Sequence, residues 1–197
     1  MKKAELFLVL LLLGSLWGFF EMLQLPVYLL CAIGLLFLVI GRRIINIPGS
    51  SILIGLIVCF YKTYSVDFFI CQWAGVMAVA ISFDFFTSIV FKNNWIKISN
   101  AMLIGALTNI SALIVFVTTV LFIFPEPYWV TGGMERILDY GLTRTLPAAL
   151  ISAFISVPLA LIAVQKLSVM EFKVFSRLKP AAYIFTTICL WIAAGLY

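Results

Sequence analysis

The 197-residue sequence contains no histidine. Its four cysteines, Cys31, Cys59, Cys71 and Cys189, form no C-x-x-C pair. A zinc or haem site of the usual kind is therefore not expected, and no metal or cofactor is assigned. The cysteines read as small apolar residues within hydrophobic segments. Also missing are G-x-S-x-G, H-E-x-x-H, a Gly-rich phosphate loop leading to Lys-Ser/Thr, and a paired-aspartate membrane protease pattern. Without a reactive constellation, the chain is not expected to be an enzyme. Charge is scarce too: Asp, Glu, Lys and Arg make up 11% of the residues, against about 25% in soluble domains. No basic patch interleaved with aromatics is present, so nucleic acid is not an expected partner.

What fills the chain instead is apolar surface, with 64% hydrophobic residues and a mean hydropathy of +1.20. Soluble domains average about 45–50% apolar residues, and so much apolar surface cannot be hidden in a water-facing globule of this size. Lipid is the expected solvent, around a single integral membrane domain spanning residues 1–197. The N-terminus, MKKAELFLVLLLLGSLWG, imitates a secretory signal, but no small-x-small cleavage site follows it. A retained first transmembrane helix is the expectation.

A helix crosses the hydrocarbon core in about 20 residues. Scanning on that length gives spans near Leu6–Gln24, Pro26–Gly41, Ser51–Val66, Phe68–Phe91, Ala101–Phe124, Leu146–Gln165 and Pro180–Tyr197. Helix-start signals agree at Ser50-Ser51, Ser99-Asn100, Pro147 and Pro180. The fold class is an all-α, polytopic helical bundle, with six core helices in residues 1–170 and a seventh, C-terminal helix in 180–197. With the N-terminus in the cytoplasm, Lys2, Lys3, Arg42, Arg43, Lys92, Lys97, Lys166, Lys173, Arg177 and Lys179 fall inside. Only Lys62, Arg136 and Arg144 fall outside, a positive-inside bias. The expected location is a prokaryotic cytoplasmic membrane, with membrane lipid as the surrounding partner.

Five polar positions need a reason. Glu21 ends an uncharged stretch, Leu6 to Phe20, just before the break at Pro26. It is either a carboxylate at the water interface or one that points into a cavity open to the outside. Lys62 either snorkels outward or serves the same cavity. Asp67 either caps the fourth span or faces the outer side. Asp84 has at least seven residues of span on each side. It must be protonated, paired or hydrated, in a functional or a structural role. Asn109 is a buried polar residue that offers interhelical hydrogen bonds, beside Gly105, Thr108 and Ser111. The outer loop FPEPYWVTGGMERILDYGLTR carries either a surface helix or a lid, and its Tyr128-Trp129 pair either roofs a pocket or anchors at the interface.

Gly14-x-x-x-Gly18 gives the first helix a small-residue face for close helix approach. With that face, a second helix ending in Arg42-Arg43 and a last core span reading LTRTLPAALISAFISVPLALIAVQKL, residues 1–170 resemble the substrate-binding S components of energy-coupling factor transporters. The resemblance implies an outward-open pocket in which Trp17, Glu21, Lys62, Asp67 and Arg144 contact the solute. It also implies that Gly14 and Gly18 meet a transmembrane coupling subunit driven by two ATPases. The expected function is a binding and uptake module for a small organic solute. The alternative is a non-catalytic accessory or assembly subunit of a larger membrane complex.

Overall fold

A computed structural model describes residues 3–23, 25–63, 70–169 and 179–195. Among these residues there is no strand. Helices α1 (Lys3–Met22), α2 (Val27–Ile44), α3 (Ser50–Lys62), α4 (Ile70–Phe85) and α5 (Ile98–Thr118) follow one another. They are succeeded by α6 (Pro127–Tyr140), α7 (Leu146–Ile151), α8 (Val157–Val169) and α9 (Lys179–Gly195). Five stretches are long and apolar enough to cross a membrane: Ala4–Met22, Val27–Ile44, Ile70–Val90, Ile98–Ile123 and Pro127–Lys166. Large apolar side chains such as Phe60, Phe122, Phe154 and Phe185 point outward, a surface that suits lipid and not water. The protein is an integral membrane helical bundle.

Local chemistry sets the element ends. Leu25 precedes Pro26, and the proline ring disfavours helical backbone at that position, so α1 stops and α2 restarts just beyond Pro26. Between α2 and α3, Gly49 takes φ +88°, a left-handed conformation that glycine reaches without Cβ strain. The end of the bundle with this turn and the start of α1 is called the near end. The end with Glu21 is the far end.

The helices touch through small residues, as expected where lipid gives apolar side chains no reason to leave it. A Cβ on Gly14 would stand 2.7 Å from Cβ of Ile57, and one on Gly18 would stand 2.5 Å from Cγ of Tyr61. The Gly14–Gly18 face therefore packs on α3 of the same chain. The expectation that it meets a partner subunit is corrected by this contact. Gly34 of α2 receives the indole of Trp17 in the same way, with Cζ2 2.5 Å from a Cβ placed there. Helix α9 lies against α1, where Trp191 Nε1 donates to Ser15 Oγ at 3.2 Å and the Trp191 ring packs at a tilt on Tyr61, 4.5 Å between centroids.

The largest departure from expectation lies in residues 124–144, read from sequence as an outer loop carrying either a short surface helix or a lid. Pro127, with its preset φ, opens α6, and Gly133 at φ 56° absorbs the Gly-Gly step as a kink. The helical path then continues to Val169 through two wide turns, Gly141–Thr145 and Ser152–Ser156. Each wide turn closes with an i→i+5 bond, from the Leu146 N–H to Gly141 and from the Val157 N–H to Ser152. Each comes just before a proline, Pro147 or Pro158. The proline lacks an N–H and crowds the carbonyl four residues back, so widening the turn keeps the helix continuous.

Candidate functional site

Glu21 sits in the last turn of α1 and Lys62 ends α3. Because the two helices close together at Gly14 and Gly18, their far ends meet. Lys62 Nζ lies 2.9 Å from Glu21 Oε2, and it donates to the backbone oxygen of Glu21 at 3.1 Å. That carbonyl belongs to the last turn of α1, where helical carbonyls have no partner within the helix. Trp17, one turn earlier on the same face, donates Nε1–H to Glu21 Oε1 at 3.0 Å. The three residues are 1%, 8% and 6% exposed for Trp17, Glu21 and Lys62. Both carboxylate oxygens are engaged, and the pair is locally neutral, the condition under which a buried charge is tolerated.

This triad forms one wall of a partly open cavity of about 520 Å³ at the far end, enclosed by α1 to α7. The volume lies within the range of small-molecule sites, about 300–1,000 Å³. The same cavity has an aromatic wall. Phe116 meets Trp129 edge-on at 5.1 Å, Trp129 meets Tyr140 edge-on at 5.1 Å, and Phe116 stacks on Tyr140 at 6.0 Å. Gly75 of α4 and Ala112 of α5 leave room between the walls. On the α5 side Asn109, which is buried, donates to Gly105 O and to Ser152 Oγ, each at 3.0 Å. It ties α5 to the second wide turn.

A second hollow of about 330 Å³ adjoins the first and shares Tyr128, Trp129, Tyr140 and Arg144 with it. Here Arg136 lies over the Tyr128 ring, 4.0 Å from the centroid, and donates to the Tyr128 carbonyl. Arg144 borders both hollows. Among the described residues, no hydrogen bond or ion pair involves it.

Trp17, Glu21, Lys62 and Arg144 thus come together at one cavity, with Asn109 in its lining. Asp67 lies outside the described residues. Asp84 is at the opposite, near end. Its carboxylate accepts the Gly49 N–H at 3.1 Å through Oδ1 and at 2.9 Å through Oδ2, and it stands 3.6 Å from Arg42 Nη1. Arg42 also donates to the Ile47 carbonyl and, at 2.9 Å, to Ser88 Oγ. Asp84 therefore clasps the α2–α3 turn and does not border the cavity. Sequence reasoning held Trp129 at a pocket as one of two readings but missed Phe116 and Tyr140, because Phe116 sits inside an apolar span and Tyr140 inside an assumed loop. The one available signal was the aromatic density of that loop. Compared with known proteins, the chain matches no family model, no curated protein and no solved structure.

Proposed function

We propose that the chain is a membrane-embedded binding and uptake module for a small organic solute, which occupies the far-end cavity. One observation carries this reading: a ligand-sized chamber lined by Trp17, Glu21 and Lys62 together with an aromatic wall and Arg144. Polar groups that converge on a mostly apolar hollow are the usual make-up of a small-molecule site. In this reading α3 and α9 complete a seven-helix bundle, and the cations at the near end, Arg42, Arg43, Lys92, Lys97 and Lys166 among them, keep that end in a prokaryotic cytoplasm. The cavity then faces outward. The resemblance to S components adds a transmembrane coupling subunit and ATPases as the energy source. With Gly14 and Gly18 covered by α3, that subunit docks on a different face.

The test is purification in mild detergent from native membranes, followed by mass spectrometry of retained small molecules and proteins. A Cβ on Gly75, in the cavity lining, would meet nothing closer than Phe116 Cδ2 at 4.0 Å, so a leucine there starts without a clash and takes up cavity space. The expected result is a stoichiometric solute on the wild-type chain and none on Gly75→Leu, with equal thermal stability. An empty wild-type chain held in a fixed set of other membrane subunits would replace this reading with the accessory role.

A further inference from the structure

The charges that border the cavity do not sum to zero. Glu21 and Lys62 cancel each other at 2.9 Å, which leaves Arg144 as a net +1 in the lining of the main chamber. The adjoining hollow adds Arg136 and Asp139, one of each sign, so the lining side chains of both sum to +1 among the described residues, with the charge of Glu126 reaching Cys71 from outside the lining. Resting on the solute-binding reading, we infer that the cavity selects an organic monoanion, a carboxylate joined to an apolar body, and that Arg144 holds the carboxylate.

Three features fix the class. The guanidinium presents a planar fork of donors that matches a carboxylate, and in Arg144 none of those donors is committed within the described structure. Arg144 stands where the two hollows meet, one turn beyond Tyr140. An anion seated there leaves the rest of the solute in the larger chamber, against Trp129, Phe116 and Val76. Arg144 is exposed to the open side of the hollows, and its charge favours an anion there over a cation, because like charges repel. A cation would raise the local sum to +2, and a phosphate dianion would leave −1 among apolar walls. A monocarboxylate brings it to zero.

Two native thiols make this testable, since Cys31 and Cys71 border the chamber and are half-buried. The full chain in lipid nanodiscs is treated with three methanethiosulfonates: the anionic sulfonatoethyl, the cationic trimethylammonioethyl and the neutral methyl reagent. Rates at Cys31 and Cys71 are read by peptide mass spectrometry, with each rate divided by the same reagent's rate on a small free thiol in solution and then compared with the neutral reagent at the same site. The expected result is a preference for the anionic reagent of about tenfold, the size of electrostatic focusing in a charged cleft. The preference falls to near unity in Arg144→Gln at unchanged thermal stability. Equal or reversed ratios in the wild type, or a preference that survives Arg144→Gln, would overturn the inference while leaving the cavity in place. Absence of any retained small molecule on the wild-type chain purified from native membranes would overturn the solute-binding reading itself.

Competition then separates two sources of the same chemistry. Naphthylacetate, and not its amide, should slow the neutral reagent if the solute comes from water. Laurate should do so if the solute comes from the bilayer. Protection by neither, or equal protection by the amide, would rule out the carboxylate.

Discussion

Lys62 reaches Glu21 twice: its ammonium lies 2.9 Å from the carboxylate and 3.1 Å from the backbone oxygen of the same residue. One side chain thus neutralises a buried acid and finishes the hydrogen bonding of the last turn of α1. The contact is a structural clasp as much as a cavity wall, and its parts respond differently to substitution.

Replacing Glu21 by Gln leaves a buried ammonium with no counter-charge. Loss of one partner of a buried pair costs about 3–5 kcal/mol, so Glu21→Gln and Lys62→Met should each lower the unfolding midpoint in detergent strongly. The double variant should recover most of that loss, because neither charge is then stranded. A double variant as unstable as the sum of the singles would mean that the two residues act independently.

Gly18→Ala tests the α1–α3 approach. The added methyl would lie 2.5 Å from the Tyr61 ring, and overpacking of this kind costs about 1–3 kcal/mol. Thermal unfolding should show the loss, and a compensating Tyr61→Leu should return part of it. An unchanged midpoint for Gly18→Ala would mean the helices stand farther apart than described.

At the near end, Asp84→Ala removes the acceptor for the Gly49 N–H and the counter-charge of Arg42. Amide exchange in a peptide covering residues 41–53 should rise by about tenfold, which corresponds to the roughly 1.4 kcal/mol expected for a charge-assisted hydrogen bond. Asp84→Asn should exchange at an intermediate rate, since one oxygen still accepts. Exchange that matches the wild type in both variants would remove Asp84 from the turn.

Gly49→Ala isolates backbone strain. Nothing lies within 4 Å of a Cβ built there, so the cost comes from φ +88° alone. It should be about 1–2 kcal/mol, with Gly49→Asn closer to the wild type. A larger loss from Asn than from Ala, measured by thermal unfolding, would contradict this.

The apolar spans were legible in the sequence because hydropathy reports the solvent directly. The runs read near Leu6–Gln24, Pro26–Gly41 and Phe68–Phe91 each hold a helix that begins or ends within a few residues of the expected position. Residues 127–145 were legible only in part: a short helix in MERILDYG was one reading, but not its start at Pro127 or its continuation into the last span. Two prolines, Gly132-Gly133 and five charges in and around that stretch imitate a loop, and propensity cannot reveal that wide turns keep the helix running past Pro147 and Pro158. Small residues at Gly14 and Gly18 announced a close approach, but a sequence does not say whether the neighbour is the same chain or another. Asp84 announced a need for a partner. Its partners, Gly49 and Arg42, belong to other elements and come together only in three dimensions.

The two clasps also differ in the order in which their halves are made. Lys62 follows Glu21 by 41 residues, so during synthesis the carboxylate emerges before any counter-charge exists, and α1 cannot lock until the α2–α3 hairpin has been delivered to the bilayer. At the other end the sequence of events is reversed. Gly49 precedes Asp84 by 35 residues, and Arg42 precedes both, so the receptor for that acid is already waiting when α4 arrives. Co-translational assembly of this chain thus closes its first helix late and its fourth on arrival. A nascent-chain force profile should register the first event as Lys62, not Glu21, clears the insertion channel.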